Sequence, residues 1–272
     1  MAGRVYIYYL LPFSIAELKS AQLNLPIPQE QIFKGFYPRV YQPQIRAQEY
    51  YENYISTYIE RDIRTIRNID NILIFKKFMQ LCALRLGTTV NITEIAAKCG
   101  IAQQTARSWL SLLETSFILF VLPSYHENLG KRVTKSAKLY FYDVGLAAAL
   151  MGFSQETIIK DRVIFGALFE NMVVVDLIKN GTIKQIKPQF SFFRDSNKNE
   201  IDIIVEWAKQ VMPIEIKASA TAQASFFDTL EWFEKLHAVY KKIVIYGGTE
   251  NQERSRGSLV SWMNIKELLQ EI

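Results

Sequence analysis

The chain has 272 residues, of which 49% are hydrophobic, 13% aromatic and 22% charged. This composition is typical of a folded globular protein and excludes a largely disordered chain. The net charge of +5, with a pI near 9.0, is compatible with a nucleic-acid partner but does not require one.

Cysteine and histidine are too scarce for a disulfide framework or a zinc site. Cys82 and Cys99 form no CxxC pair, and His126 and His237 have no Ser, Cys or Asp motif beside them. The apolar run Val5–Leu11 is too short to span a bilayer and lacks the basic start and cleavage site of a signal peptide. We therefore expect a cytoplasmic protein without a membrane partner.

Residues 1–43 are predicted to belong to a larger unit. Val5–Leu11 is typical of a buried strand, and Phe13–Ser20 is typical of a short helix with Ser14 as its cap. Prolines and a glycine predict irregular structure up to residue 43. Because one strand and one helix cannot cover their own apolar faces, we expect this segment to pack on the later residues of the chain, on a partner protein or on a second copy of the chain.

Residues 44–75 are predicted to form a helical connector. Between Gln44 and Asn68, apolar side chains such as Tyr51 and Ile55 recur at three- and four-residue steps, and charged side chains fill the other face. The charges indicate a solvated face with local ion pairs.

A winged helix-turn-helix is predicted over residues 76–150. A helix ends at Gly87, a short helix precedes Gly100, and a second helix covers Ala102–Glu114. The β-like runs Ile118–Pro123 and Leu139–Tyr142 flank a basic stretch that would form the wing.

DNA contact is the functional prediction for this segment. The candidate nucleic-acid-binding residues lie on the second helix and in the wing: Gln103, Gln104, Arg107, Lys131, Arg132, Lys135 and Lys138. Gln and Arg side chains can read base edges, but a single arginine on the helix provides few such contacts. The alternative is that this segment is a spacer or a protein-docking module.

Residues 151–272 carry a helix, three strands, a helix and a strand. The long apolar helix Arg162–Asn180 contains Glu170, which is either exposed or kept inside for a reason. The strands are predicted over Phe190–Arg194, Glu200–Glu206 and Val211–Lys217, and they are followed by the helix Ser225–Leu236 and the strand Lys242–Tyr246.

A candidate metal site arises from the pattern of the second and third strands. By strict alternation, Asp202 lies on the face opposite Ile201 and Ile203, and Glu215 shares a face with Lys217. If the strands are neighbours, Asp202, Glu215 and Lys217 meet on one surface, and the helix could bring Glu170 there. Carboxylates suit Mg²⁺ or Mn²⁺. The alternative is an ordinary surface ion pair on an edge strand.

The order of these residues resembles that of the PD-(D/E)XK nuclease superfamily: Asp202, about a dozen residues, then Glu-x-Lys, with Glu170 on the preceding helix. The resemblance implies a restriction-endonuclease-like α/β domain in a mixed α/β chain. It also implies that Asp202, Glu215 and Glu170 ligate metal and that Lys217 assists the attacking water. Ile201 stands where the superfamily name has proline.

A wider series of motifs covers nearly the whole chain. It includes Leu11–Ser14, Tyr58–Asp62, Lys135–Phe141, Gly166–Asn171 and Phe193–Asp195. The series resembles bacterial and archaeal AAA-type ATPases that carry a winged helix and a C-terminal nuclease-like region of unassigned function. No G-x-x-x-x-G-K-[ST] loop occurs, so no ATP site is expected. Residues 1–43 would then be the remnant of the ATPase module, in a fragment or a truncated gene product.

Three functional hypotheses remain open at this point. The first is a Mg²⁺-dependent DNA-cleaving module positioned by the winged helix. The second is a DNA- or protein-binding accessory whose acid cluster is inactive, and the third is an inert remnant of an ATPase gene. Whether catalysis is retained does not follow from the residues, because nuclease-like scaffolds also occur without activity.

Overall fold

The computed structural model describes residues 9–58, 71–125, 137–182 and 188–270, and its mixed α/β architecture confirms the predicted fold class. Helices prevail up to residue 182 and a six-stranded sheet comes after them. The helices are α1 (Ile15–Ser20), α2 (Pro28–Lys34), α3 (Ala47–Thr57), α4 (Ile72–Ala83), α5 (Ile92–Cys99), α6 (Gln103–Thr115), α7 (Val144–Met151), α8 (Gln155–Lys160), α9 (Arg162–Thr182), α10 (Asp228–Glu234) and α11 (Ile265–Gln270). The strands are β1 (Leu119–Pro123), β2 (Ala137–Phe141), β3 (Gln189–Arg194), β4 (Glu200–Trp207), β5 (Gln210–Lys217), β6 (Ile243–Tyr246), β7 (Gln252–Arg254) and β8 (Gly257–Ser261).

The N-terminal segment packs on α7 and α9 through buried polar groups. Asp143 caps α7 and accepts hydrogen bonds from the Phe36 backbone N–H and the Tyr51 hydroxyl, both at 2.7 Å. The backbone N–H of Ile15 donates to Asp176 of α9, also at 2.7 Å. These bonds satisfy backbone groups that would otherwise be costly to bury. The described part of residues 1–43 thus packs on later elements of the same chain, whereas most of the predicted strand Val5–Leu11 lies outside the described residues.

Helices α5 and α6 follow each other closely in the segment that was predicted as a helix-turn-helix. The Asn91 side chain caps α5 by accepting from the Glu94 backbone N–H, and Gly100 ends the helix in the left-handed conformation with φ of 70°. After α6, strands β1 and β2 pair antiparallel. The segment between them, residues 126–136, was predicted as the wing and lies outside the described residues.

The six strands of the C-terminal sheet run in the order β3-β4-β5-β6-β8-β7. β3, β4 and β5 are antiparallel neighbours, β5, β6 and β8 are parallel, and β7 pairs antiparallel at the edge. Ala208 and Lys209, with φ of 46° and 68°, form the two-residue turn between β4 and β5. Positive φ at both central residues is typical of the type I′ turn, which fits the twist of a hairpin.

A β-bulge in β4 corrects the predicted alternation. Ser191 pairs with Ile204 and Phe193 with Ile201, so Asp202 and Ile203 both stand opposite the single Phe192. Ile203 therefore packs in the core beneath α9, whereas Ile201 packs with Ile204 in a second core beneath α10. The prediction that Ile201 and Ile203 share a face was wrong, because it assumed strict period two.

One continuous apolar core joins the described residues up to 150, here called the N-terminal part, to those from 151 onward, here called the C-terminal part. It extends from Ile15 to Leu269 and includes α4 to α9 and one face of the sheet. The division at residues 43, 75 and 150 stays a prediction. None of the helices in the described ranges combines the length and the apolar character that crossing a bilayer requires.

Candidate functional site

The predicted acids meet at one end of the sheet, where β4 begins and β5 ends. The antiparallel pairing runs as far as Ile203 opposite Ile214, and its continuation brings Asp202 opposite Glu215. There the ladder changes, because the backbone N–H of Ile216 donates to Asp202 Oδ2 at 2.8 Å instead of to a backbone carbonyl. The bulge and this side-chain bond place the Asp202 carboxylate beside the end of β5.

Glu215 has a buried oxygen atom without a hydrogen-bond partner. Glu215 lies near the end of β5, and the residue is only 5% exposed. Oε1 accepts a hydrogen bond from Lys217 Nζ at 2.6 Å, whereas Oε2 is buried and unpartnered in the described structure. A buried polar atom without a partner is costly, and a water molecule or an ion bound there would satisfy it.

Glu170 is held by two side chains of β2. Its Oε1 accepts from Lys138 Nζ at 3.1 Å and from the Tyr140 hydroxyl at 2.6 Å. The Lys138 ammonium also pairs with Glu200 Oε1 of β4 at 2.6 Å. A strand of the N-terminal part therefore supplies the partners of two acids in the C-terminal part.

Asn171 fixes β2 against α9 next to Glu170. Its Oδ1 accepts from the Phe141 backbone N–H at 2.8 Å, and its Nδ2 donates to the Phe141 carbonyl at 3.0 Å. Gly87 also lies close to this carboxylate, since a Cβ added to the glycine would be 3.4 Å from Glu170 Oε1. The position of the Glu170 carboxylate is therefore defined by its surroundings.

Acidic groups outnumber basic groups in this cluster. We define the acid cluster as Glu170, Glu200, Asp202 and Glu215, and its basic neighbours as Lys138, Arg194 and Lys217. Arg194 lies at the margin, 3.5 Å from Glu200. A bound cation would offset the repulsion among these acidic groups.

The acids repel one another, and the repulsion adds to the effect of burial. Burial and the neighbouring Asp202 raise the pKa of Glu215 to about 8 and that of Glu170 to about 7. Burial also raises the pKa of Asp202. Burial alone would lower the pKa of Lys217, but Glu215, Asp202 and Glu170 outweigh it and raise the pKa.

The three predicted metal ligands differ in their availability. Among the described residues, no three side chains of His, Cys, Asp and Glu converge in a ready-made metal site. Oε1 of Glu170 already accepts from Lys138 and Tyr140, whereas Asp202 and Glu215 are adjacent carboxylates and Glu215 has a buried, unpartnered oxygen. Asp202 and Glu215 therefore fit a hard divalent ion by their chemistry, and Glu170 fits it less well.

The predicted DNA-binding residues fall into three groups. Gln103, Gln104 and Arg107 are exposed on α6, with Gln103 Nε2 donating to Thr93 Oγ1 at 2.9 Å. The wing residues lie outside the described residues: Lys131, Arg132 and Lys135. The prediction for Lys138 is corrected, because this residue is 1% exposed and its ammonium is bound to two carboxylates, which leaves it unable to meet a phosphate.

Sequence reasoning missed one member of the acid cluster, Glu200, and two of its neighbours, Tyr140 and Arg194. Lys138 and Tyr140 are two apart on β2 and so share a face, a signal that the sequence does contain. Nothing in the sequence indicated that this face would meet α9. Glu200 was overlooked because the resemblance assigns it no role.

Two family models match the chain, and both describe domains of unknown function. DUF8612 matches residues 27–157 and DUF4143 matches residues 165–267. Uncharacterized proteins of Mycobacterium bovis and Mycobacterium tuberculosis are each 26% identical to the chain over 174 residues. The aligned segment covers 64% of this chain but only 38% of each relative.

A solved structure, protein VC1899 from Vibrio cholerae, aligns with 96% of this chain and 60% of its own at 13% identity. Its TM-score of 0.28 is too low to support an argument about the fold.

Proposed function

We propose that the chain is a Mg²⁺- or Mn²⁺-dependent phosphodiesterase of the PD-(D/E)XK type that cleaves DNA. The observation that carries the proposal is the unpartnered Glu215 Oε2, buried beside Asp202 where β4 and β5 meet. A group of neighbouring carboxylates, of which one has a buried and unsatisfied oxygen, is what a divalent cation would complete.

The residues of the site divide the chemistry among them. Asp202 and Glu215 would hold the ion, which when bound polarises a phosphate and lowers the pKa of a water molecule. Lys217 is paired with Glu215 and its side chain is 34% exposed, so its ammonium is accessible from solvent. It would neutralise the charge that develops on the phosphate oxygens during cleavage.

The proposal also assigns DNA binding to the N-terminal part of the chain. Gln103, Gln104 and Arg107 would contact duplex DNA from α6, together with the basic residues 131–135, in a winged helix. By resemblance, these parts would come after an AAA-type ATPase module in longer proteins, and the site would act in the cytoplasm. There the buried, free Cys82 and Cys99 would stay reduced.

A plasmid nicking assay tests the proposal. We expect the wild-type chain to convert supercoiled plasmid to open circles with Mg²⁺ or Mn²⁺ and not with EDTA. Glu215→Gln, which keeps the size of the side chain but removes its charge, should reduce cleavage to the EDTA level. The matched control is Glu267→Gln on α11, where the carboxylate is exposed.

Two results would contradict the proposal. Equal cleavage by wild type and Glu215→Gln would assign the activity to a contaminant or to another site. No cleavage by any variant, with salt-sensitive DNA binding retained, would favour a non-catalytic accessory protein.

A further inference from the structure

The Lys138 ammonium lies between two carboxylates that belong to different elements of the C-terminal part. It is 3.1 Å from Glu170 Oε1 on α9 and 2.6 Å from Glu200 Oε1 on β4. Its side chain is 2% exposed, and the ring centroid of Phe192 lies 5.5 Å from Nζ. A buried lysine with two acidic partners is a fixed internal charge and not part of a solvated surface.

The acid cluster therefore consists of two pairs of carboxylates that differ in their ion-pair and hydrogen-bond partners. Glu170 and Glu200 share the buried Lys138, and Glu170 receives a further hydrogen bond from Tyr140. Asp202 and Glu215 have the half-buried Lys217, which pairs with Glu215 at 2.6 Å and leaves Glu215 Oε2 without a partner. Among the described contacts of the acid cluster, the buried oxygen without a hydrogen-bond partner therefore belongs to the second pair.

We propose that Lys138 is a built-in cation that occupies the place of a second divalent ion, so that the site takes a single ion at Asp202 and Glu215. This inference rests on the proposed function. It adds that the site binds one divalent ion and that Lys138 limits the number to one. Lys138 is then a positioning residue. It holds Glu170 and Glu200 away from the ion without touching the substrate.

The charges of the cluster explain why one ion suffices. Four carboxylates face two lysines, with Arg194 at the margin. Burial would lower the pKa of Lys138, but Glu170, Asp202 and Glu200 outweigh it and raise the pKa, so the ammonium stays charged. A second divalent ion beside Glu170 and Glu200 would have to displace this ammonium, whose side chain is only 2% exposed.

The number of bound ions tests the inference. Mn²⁺ binding is measured by calorimetry and by electron paramagnetic resonance for wild type and for Lys138→Met, which keeps the apolar stem and removes the charge. We expect one ion per wild-type chain. In Lys138→Met we expect a second ion, or tighter binding of the first by tenfold or more. Lys160→Met, at an exposed ion pair with Glu156, is the matched control.

The outcomes separate this inference from the proposed function. One ion in both proteins with equal affinity, or two ions in wild type, would overturn the role of Lys138 and leave the nuclease proposal standing. No ion in wild type but one in Lys138→Met would support the role of Lys138 and remove metal-dependent cleavage. No ion in either protein would overturn both.

Lys138→Met leaves two partly buried acids, Glu170 and Glu200, without their counter-charge and could unfold for that reason alone. If it does, refolding is compared in Mg²⁺ and in Na⁺ at equal ionic strength. We expect only Mg²⁺ to restore the native circular dichroism spectrum, and failure with Mg²⁺ would overturn the inference. A lysine with only a structural role would not be replaced by a divalent ion.

Discussion

Lys217→Met is expected to reduce DNA cleavage by about 100- to 1000-fold, the usual cost of removing one group that stabilises transition-state charge. Binding of Mn²⁺ should remain or become tighter, because the substitution removes a positive charge 2.6 Å from Glu215 Oε1. Single-turnover cleavage of a plasmid and calorimetric titration with Mn²⁺ measure the two effects separately.

A loss of cleavage without a loss of Mn²⁺ binding distinguishes a catalytic effect of the substitution from an effect on folding. A destabilised protein would lose both cleavage and Mn²⁺ binding, and the thermal unfolding curve would move with them. Lys266→Met on α11, where the lysine is exposed, is the matched control and should change neither quantity. If Lys217→Met cleaves at the wild-type rate, the lysine is only the partner of Glu215 and has no part in the reaction.

Without a divalent ion, the fold is expected to become less stable as the pH rises from 6 to 9. The pKa of Glu215 is raised from 4.5 to about 8 and that of Glu170 from 4.5 to about 7. The native state therefore retains protons that the unfolded chain has lost. Their contribution to stability is complete below pH 4.5 and is lost as the pH rises through 7 to 8. Thermal unfolding in EDTA should show a fall in Tm on the order of 5 °C.

Comparison with Glu215→Gln isolates the effect of this carboxyl from that of other buried groups. Burial raises the pKa of Asp176 to about 6, which acts in the same direction at lower pH. Burial lowers the pKa of Lys179 to about 8, so loss of its proton stabilises the fold at high pH. Glu215→Gln should flatten the fall in Tm, and Mg²⁺ should flatten it in wild type. A variant curve parallel to that of wild type would contradict the assignment to Glu215.

The regular elements were predictable where a single periodicity held. Arg162–Asn180 was predicted as a helix and is α9 (Arg162–Thr182), and the hairpin of β4 and β5 lies within one residue of its predicted bounds. Short elements were missed, namely the helices α2, α7, α8 and α11 and the strands β7 and β8. Local patterns of so few residues do not separate helix, strand and loop.

The site was predictable on its C-terminal side and not on its N-terminal side. Asp202, Glu215 and Lys217 lie within sixteen positions of one another, and the turn at Ala208 and Lys209 brings their strands together. The bulge in β4 had no sequence signal, since no glycine marks it. The contact of Lys138 with Glu170 depends on how two parts of the chain pack, which local periodicity does not encode.

The bonds from β2 to α9 affect how the two parts of the chain could be exchanged between related proteins. Lys138 and Tyr140 come from one part and Glu170 from the other. A chimera that joined the C-terminal part to a foreign N-terminal part would bury Glu170 without its ammonium and hydroxyl partners. The two parts are therefore expected to be inherited together, with a compensating substitution required on one side whenever the other changes.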